Sequence, residues 1–285
     1  MDPPSLTVIV AGREAWGIGV RPVQPVRGIP DPRRRPRLRP WPGAEMLEAF
    51  LWGGLAASAL LVGAVLAETL RPGPRVAGVV LALGAGVLLG SVSFSLVDDA
   101  LELGDLLVVA VALTGGALVF VAGDWLLDRR GATSRKDPGG AQAGGDPRAI
   151  ALGSVLDGIP ESLVLGLTVL QGSVGVPLLA GIALSNLPEG LASSAGLRAA
   201  GWPFRRVVTM WSVVVLAGAT AALLGYVLLD GVPGNVVAGV DAFAAGALLA
   251  MVADTMLPEA YDEERSLSGL LVTLGFAGAI ALDAL

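Results

Sequence analysis

From Met46 to its C-terminus this chain is a succession of apolar runs, at about 47–67, 76–97, 106–127, 149–170, 176–197, 207–229, 236–257 and 267–284. Each is close to the 20 or so residues that carry a helix across a bilayer. Backbone in lipid must satisfy its own hydrogen bonds, which leaves helices and closed barrels. Helix is the expected state, because open strands cannot satisfy their backbone in lipid. Only 15% of the 285 residues are charged, against about 25% in a typical soluble domain. Small residues are dense, as in GGLAAS, LGAGVLLG and AAGALLA, and let helices approach closely where no hydrophobic force drives them together. The expected fold is an all-α integral membrane protein, an eight-transmembrane-helix bundle spanning 46–285.

Ahead of the runs, residues 1–45 hold many prolines and the cluster PRRRPRLRP, with no apolar stretch of signal-peptide length. They read as a disordered basic tail or an upstream extension, the alternative being an arm for anionic lipids. Loop charges set the expected orientation. Arg71 and Arg75, then Arg129, Arg130, Arg135, Lys136 and Arg148, then Arg198, Arg205 and Arg206 fall on one side if eight helices alternate. That side is expected to be cytoplasmic, with both termini outside in a multi-pass protein of the cell membrane. The Gly-rich stretch 128–148 reads as a cytoplasmic linker between three helices and five.

Two motifs interrupt the apolar pattern: LDGIPES at 156–162 and LSNLPEG at 184–190. The first puts Asp157 and Glu161 four residues apart on one helical face, the second Asn186 and Glu189 three apart. A carboxylate at mid-membrane costs about 2.5–3.5 kcal/mol on insertion scales, so these acids must face protein. Pro160 and Pro188 each remove a helical hydrogen bond and release the carbonyls of Leu156 and Leu184. Paired Pro-interrupted spans mark transporter binding sites, and converging oxygen donors suit a divalent cation. The expected metal site is Asp157, Glu161, Asn186 and Glu189, with Ser185 as an additional ligand. The alternative is a carboxyl pair held neutral by shared protons, or bonded to serine on a neighbouring helix.

Weaker signals trace an ion pathway. Ser91 and Ser95 share a face of the second helix, either lining that pathway or making packing bonds. Asp98 and Asp99 at its end gather cations or form a solvated acidic loop, and Asp254 in the seventh helix marks an exit or an interfacial acid.

The chain resembles the ZIP family of metal-ion transporters, particularly its bacterial branch, over the region from about residue 47 to the end. The motif Asp157-Gly158-Ile159-Pro160-Glu161-Ser162 is similar to the family's fourth-helix HNxPEG. Ser185-Asn186-Leu187-Pro188-Glu189-Gly190 matches its fifth-helix counterpart. GAGVLLGSVSFSLVDDAL and FAAGALLAMVADTMLPEA resemble its second- and seventh-helix runs. The resemblance implies eight helices in a 3+2+3 arrangement and a homodimer. Family histidines are here Asp157 and Ser185, the first-motif asparagine is Gly158, and a sixth-helix glutamate is replaced near Gly218.

The expected activity is transport of a divalent metal ion, zinc or a harder ion such as manganese or iron, with cadmium as a further candidate. The metal is substrate; no prosthetic group is expected. An all-oxygen donor set leans towards harder ions, though zinc also accepts carboxylates. The expected partners are metal ions and the lipid bilayer, with no nucleic acid. An enzyme is not expected, since without histidine both Ser-His hydrolysis and HExxH metalloprotease chemistry are excluded. No phosphate loop is visible either. An intramembrane aspartyl protease would need aspartates facing each other across helices, and these motifs pair Asp with Glu and Asn with Glu. The remaining alternative is a degenerate family member acting as metal sensor or scaffold.

Overall fold

The computed structural model describes residues 42–70, 73–127, 129, 147–172 and 176–284. The tail up to residue 41 and the body of the 128–148 linker, with Arg130, Arg135 and Lys136, lie outside the described residues. The described chain is helical: α1 (Pro42–Thr69), α2 (Pro74–Ser91), α3 (Val97–Leu103), α4 (Leu106–Leu127), α5 (Pro147–Leu170), α6 (Val176–Ala199), α7 (Phe204–Leu229), α8 (Gly234–Met251), α9 (Leu257–Glu263) and α10 (Ser268–Asp283). Two π-helical turns, Val92–Leu96 and Val252–Met256, join α2 to α3 and α8 to α9. Each joined pair is one continuous helix, Arg75–Leu103 and Gly234–Glu263. Eight rods result.

Six of these rods are long and apolar enough to cross a membrane, so the eight-span expectation holds only in part. The exceptions are α6 and α10. Helix α10 has 16 residues, about 24 Å at 1.5 Å per residue. Helix α6 has 24 but carries Ser185, Asn186, Glu189, Ser193 and Ser194, all buried. Hydropathy measures fitness for lipid. A helix sheathed by protein need not pass that test.

Helix α1 starts at Pro42, four residues ahead of Met46. Proline suits the first helical turn because its missing N–H has no partner there anyway. Glu45 sits in that turn and accepts a hydrogen bond from the Tyr226 hydroxyl of α7, so the boundary at 46 cuts into the helix.

Helix α6 occupies the centre, packed against α1 and α2, while α5 packs on α7, α1 and α8. The outer pairs are α2 with α10 and α4 with α8. These partnerships repeat. α1 on α6 corresponds to α7 on α5, α2 on α6 to α8 on α5, and α2 on α10 to α8 on α4. The sequence carries the same repeat: Gly86-Val87-Leu88-Leu89, the π-turn from Val92 and Asp99-Ala100 correspond to Gly246-Ala247-Leu248-Leu249, the π-turn from Val252 and Glu259-Ala260. Most connections between rods are short, so successive rods reverse direction. A three-rod unit repeated five rods later therefore runs the opposite way through the bundle.

Reciprocal glycines set the closest contacts. A Cβ on Gly116 would run into the carbonyl of Phe243, and one on Gly246 into that of Leu113. Gly86 and Gly275 do the same between α2 and α10, Gly63 and Gly190 between α1 and α6, and Gly166 and Gly225 between α5 and α7. Backbone-to-backbone approach of this kind is how small residues pack helices in lipid.

Two Arg–Glu clamps close one end of the bundle. Arg198 of α6 grips Glu68 of α1 at 2.8 and 3.2 Å. Arg75 of α2 grips Glu264, between α9 and α10, through Nε and through Nη2, the latter at 3.1 Å. Hydrogen bonds from Arg75, then from Ser266, hold the Glu264 carboxyl down from 4.5 to about 2. A carboxylate with a depressed folded-state pKa contributes stability that is complete above its unfolded value and lost as pH falls towards the folded one. The parent protein is therefore expected to lose stability between about pH 4.5 and 2, and Arg75→Ala to lose less over that window. Melting curves from pH 6 to 2 check this; parallel pH profiles would contradict it.

Candidate metal centre

Helices α5 and α6 meet through two reciprocal Ser–Glu pairs, residue 154 with 189 and residue 161 with 185. Ser154 Oγ of α5 donates to Glu189 Oε1 of α6 at 2.6 Å. Ser185 Oγ of α6 lies 3.2 Å from Glu161 Oε1 of α5 and 2.9 Å from the carbonyl of Ile182. The first distance is that of a hydroxyl donating to a carboxylate. The sequence alternative of carboxyls bonded to serine on a neighbouring helix is thus present in both pairs. Glu161 is 2% and Glu189 6% exposed.

Beside these pairs a cavity of about 30 Å³ opens between α1, α5, α6 and α7. That is room for a water or two, or for a cation that has shed most of its shell. Ser154, Gly158, Glu161 and Ser162 line it from α5, Asn186 from α6 and Gly218 from α7. Residues 154, 158, 161 and 162 recur at helical spacing, which is why one stripe of α5 faces one space. The Asn186 amide nitrogen donates to the Ala56 carbonyl at 3.4 Å. A Cβ on Gly218 would come within 3.1 Å of Ser162 Oγ and 3.3 Å of Ala57 Cβ, so this glycine keeps the cavity open.

The expected four-ligand site divides in this structure. Glu161 and Asn186 meet at the cavity. Glu189 stands behind Ser154 and does not line it. Asp157 is buried but also off the lining. At 100° per residue it is turned about 100° from Gly158, towards the flank of the helix. Ser185 is engaged with Glu161 and Ile182 and is not a lining group. Among the described residues no three acidic side chains gather closely enough to hold a metal ion. The carbonyl of Leu184, released by Pro188, packs against α2, where a Cβ on Gly84 would lie 3.0 Å from it.

The expected pathway residues are scattered. Ser91 is buried and bonds the Val87 carbonyl at 2.9 Å, which is a packing bond. Ser95 and Asp99 are half-buried, while Asp98 and Asp254 are exposed. Asp254 sits in the second π-turn. None of the five lines the cavity.

Sequence reasoning missed Ser154, Ser162 and Asp241. Ser154 lies two helical turns before Glu161, a spacing that returns to nearly the same face. Asp241 is buried in α8 and accepts a hydrogen bond from Gln171 Nε2 at 3.1 Å. Its signal was a lone carboxylate inside an apolar run.

No protein-family model matches this chain, and no curated protein matches it either.

Proposed function

We propose that this chain is a multi-pass membrane transporter for divalent metal ions, with all eight rods spanning the cell membrane and both termini outside. The observation that carries the reading is the meeting of Glu161, Asn186, Ser154 and Ser162 at one small, otherwise apolar cavity, on two helices, α5 and α6, that each contain a proline. A carboxylate in such a place is functional by default, and the oppositely running repeat supports transport, since many secondary transporters bind substrate where such repeats meet. The resemblance of the two Pro-Glu motifs to those of ZIP transporters points the same way.

Glu161 supplies the charge that draws the cation, and Asn186 and the hydroxyls supply neutral oxygens. Water completes the shell. One carboxylate at the cavity, with a second behind a serine, favours an ion content with oxygen: manganese or iron before zinc. Asp157 and Glu189 add negative potential from beyond the lining. Asp98 and Asp99 collect cations at the outer end.

A second reading is a metal sensor or scaffold that does not transport, favoured by the engagement of both glutamates with serines. The transporter and the sensor both require cation binding; the scaffold does not. A ligand that binds only the folded state raises stability by RT ln(1 + [L]/Kd), about 2.7 kcal/mol at 100 Kd. Detergent-solubilised protein should melt at progressively higher temperature as Mn²⁺, Fe²⁺, Cd²⁺ or Zn²⁺ is added at constant ionic strength. A melting temperature indifferent to all four would remove the basis of transport and sensing and leave the scaffold.

A further inference from the structure

We infer that Ser154 is the specificity-determining residue of the cavity, presenting a hydroxyl oxygen through which Glu189 acts on the passing cation. The inference rests on reading the cavity as a cation site. Glu189 is buried and does not line the cavity; Ser154 does, and its hydroxyl donates to Glu189 Oε1 at 2.6 Å. The proton side of that hydroxyl is committed to the carboxylate. Its lone pairs remain acceptors, on a residue that lines the cavity.

A cation approaching Ser154 Oγ meets an oxygen whose O–H already points at a negative charge. The two interactions reinforce one another, because a cation on the oxygen polarises the O–H towards Glu189. Ser154 thus carries the influence of a carboxylate into the cavity without placing the carboxylate there. The oxygen it offers is hard, and hard oxygens favour Mn²⁺ and Ca²⁺ over Cd²⁺.

Position defines the role further. Ser154 precedes Glu161 by two turns, about 10 Å along the helix axis, and both line the cavity. A cation held by Glu161 and Asn186 meets Ser154 on its way along α5. Gly158 lies between them, and a Cβ built there would touch nothing within 4 Å. The stretch of α5 between the two residues carries no side chain at that point.

The natural protein contains no cysteine, so Ser154→Cys introduces a single, near-isosteric soft donor. The experiment compares Mn²⁺, Ca²⁺, Cd²⁺ and Zn²⁺ uptake by the parent, Ser154→Ala, Ser154→Thr and Ser154→Cys in liposomes. It also follows alkylation of the introduced thiol in Ser154→Cys with and without Cd²⁺. Ser154→Ala is expected to slow Mn²⁺ uptake about tenfold, while Ser154→Thr keeps the parent's ion order. Ser154→Cys is expected to raise the ratio of Cd²⁺ to Mn²⁺ uptake at least about tenfold, with Cd²⁺ protecting the thiol from alkylation. A purely structural serine would alter amount or stability and leave the ion order alone. If the parent transports and the order is unchanged in both Ser154→Ala and Ser154→Cys, the inference fails while the cavity reading stands. If the parent takes up none of the four ions, both fail together.

Discussion

Gly246→Ala and Gly116→Ala are expected to destabilise the bundle more than any other single-methyl change. Each added Cβ would lie within the van der Waals envelope of a backbone carbonyl on the facing helix, Leu113 or Phe243. A carbonyl in a helix cannot rotate aside as a side-chain tip can, so α4 and α8 must part. Overpacking of this kind costs about 1–3 kcal/mol and sometimes more, and parting also loses dispersion contacts along the seam. The control is Gly278→Ala on α10, where a Cβ would meet nothing within 4 Å. There, replacing glycine by the best helix former stabilises, by up to about 1 kcal/mol. Opposite signs at the two kinds of position, read from thermal unfolding in one detergent, are the expected result. Equal melting temperatures for Gly246→Ala and Gly278→Ala would mean that α4 and α8 are not in this contact.

The second large effect falls on the carboxylates. Glu161→Gln and Glu189→Gln are each expected to weaken divalent-cation binding by about 100-fold, the equivalent of about 2.7 kcal/mol. Glutamine keeps the length and the acceptor oxygen, so Ser154 and Ser185 retain their partners and the helix pair stays together. Glutamine also leaves a hydrogen-bonding side chain in the buried place, so neither serine is left without an acceptor. Unchanged metal-free stability with weaker cation binding is therefore the signature. Asp157→Ala is expected to weaken binding less, by under about tenfold, because Asp157 acts through space from the flank of α5. If Asp157→Ala had the larger effect, the cavity would have been assigned to the wrong face of the helix.

How much of this was legible in the sequence depends on what each signal measures. Apolar length picked out eight runs, 176–197 among them, whereas six rods are long and apolar enough to cross a membrane, because α6 carries buried polar residues and α10 is short. The two Pro-Glu motifs lie on α5 and α6, which meet through the Ser–Glu pairs. The four-residue spacing of Asp157 and Glu161 was real, yet spacing says only that two residues share a face. Which flank of that face meets a cavity is decided by α1 and α7, and nothing in LDGIPES reports their position. Ser154 lies two turns earlier, but in the sequence nothing sets it apart from a serine that bonds its own backbone. The repeat between the second and seventh apolar runs was visible as GVLLGSV against GALLAMV. Its meaning came only from the matching π-turns and packing partners. Pro42 was read as part of a proline-rich tail, though proline at a first helical turn is a start signal.

The most direct test of the account is metal uptake by purified protein in sealed liposomes under an imposed inside-negative potential, worth about 2.3 kcal/mol per charge for each 100 mV. Parent protein and Glu161→Gln are compared with Mn²⁺, Fe²⁺, Zn²⁺, Cd²⁺ and Mg²⁺. The account predicts saturable uptake of at least one of these ions by the parent, faster for Mn²⁺ or Fe²⁺ than for Zn²⁺, and close to the empty-liposome rate in Glu161→Gln. Folded Glu161→Gln protein moving metal as fast as the parent would contradict it.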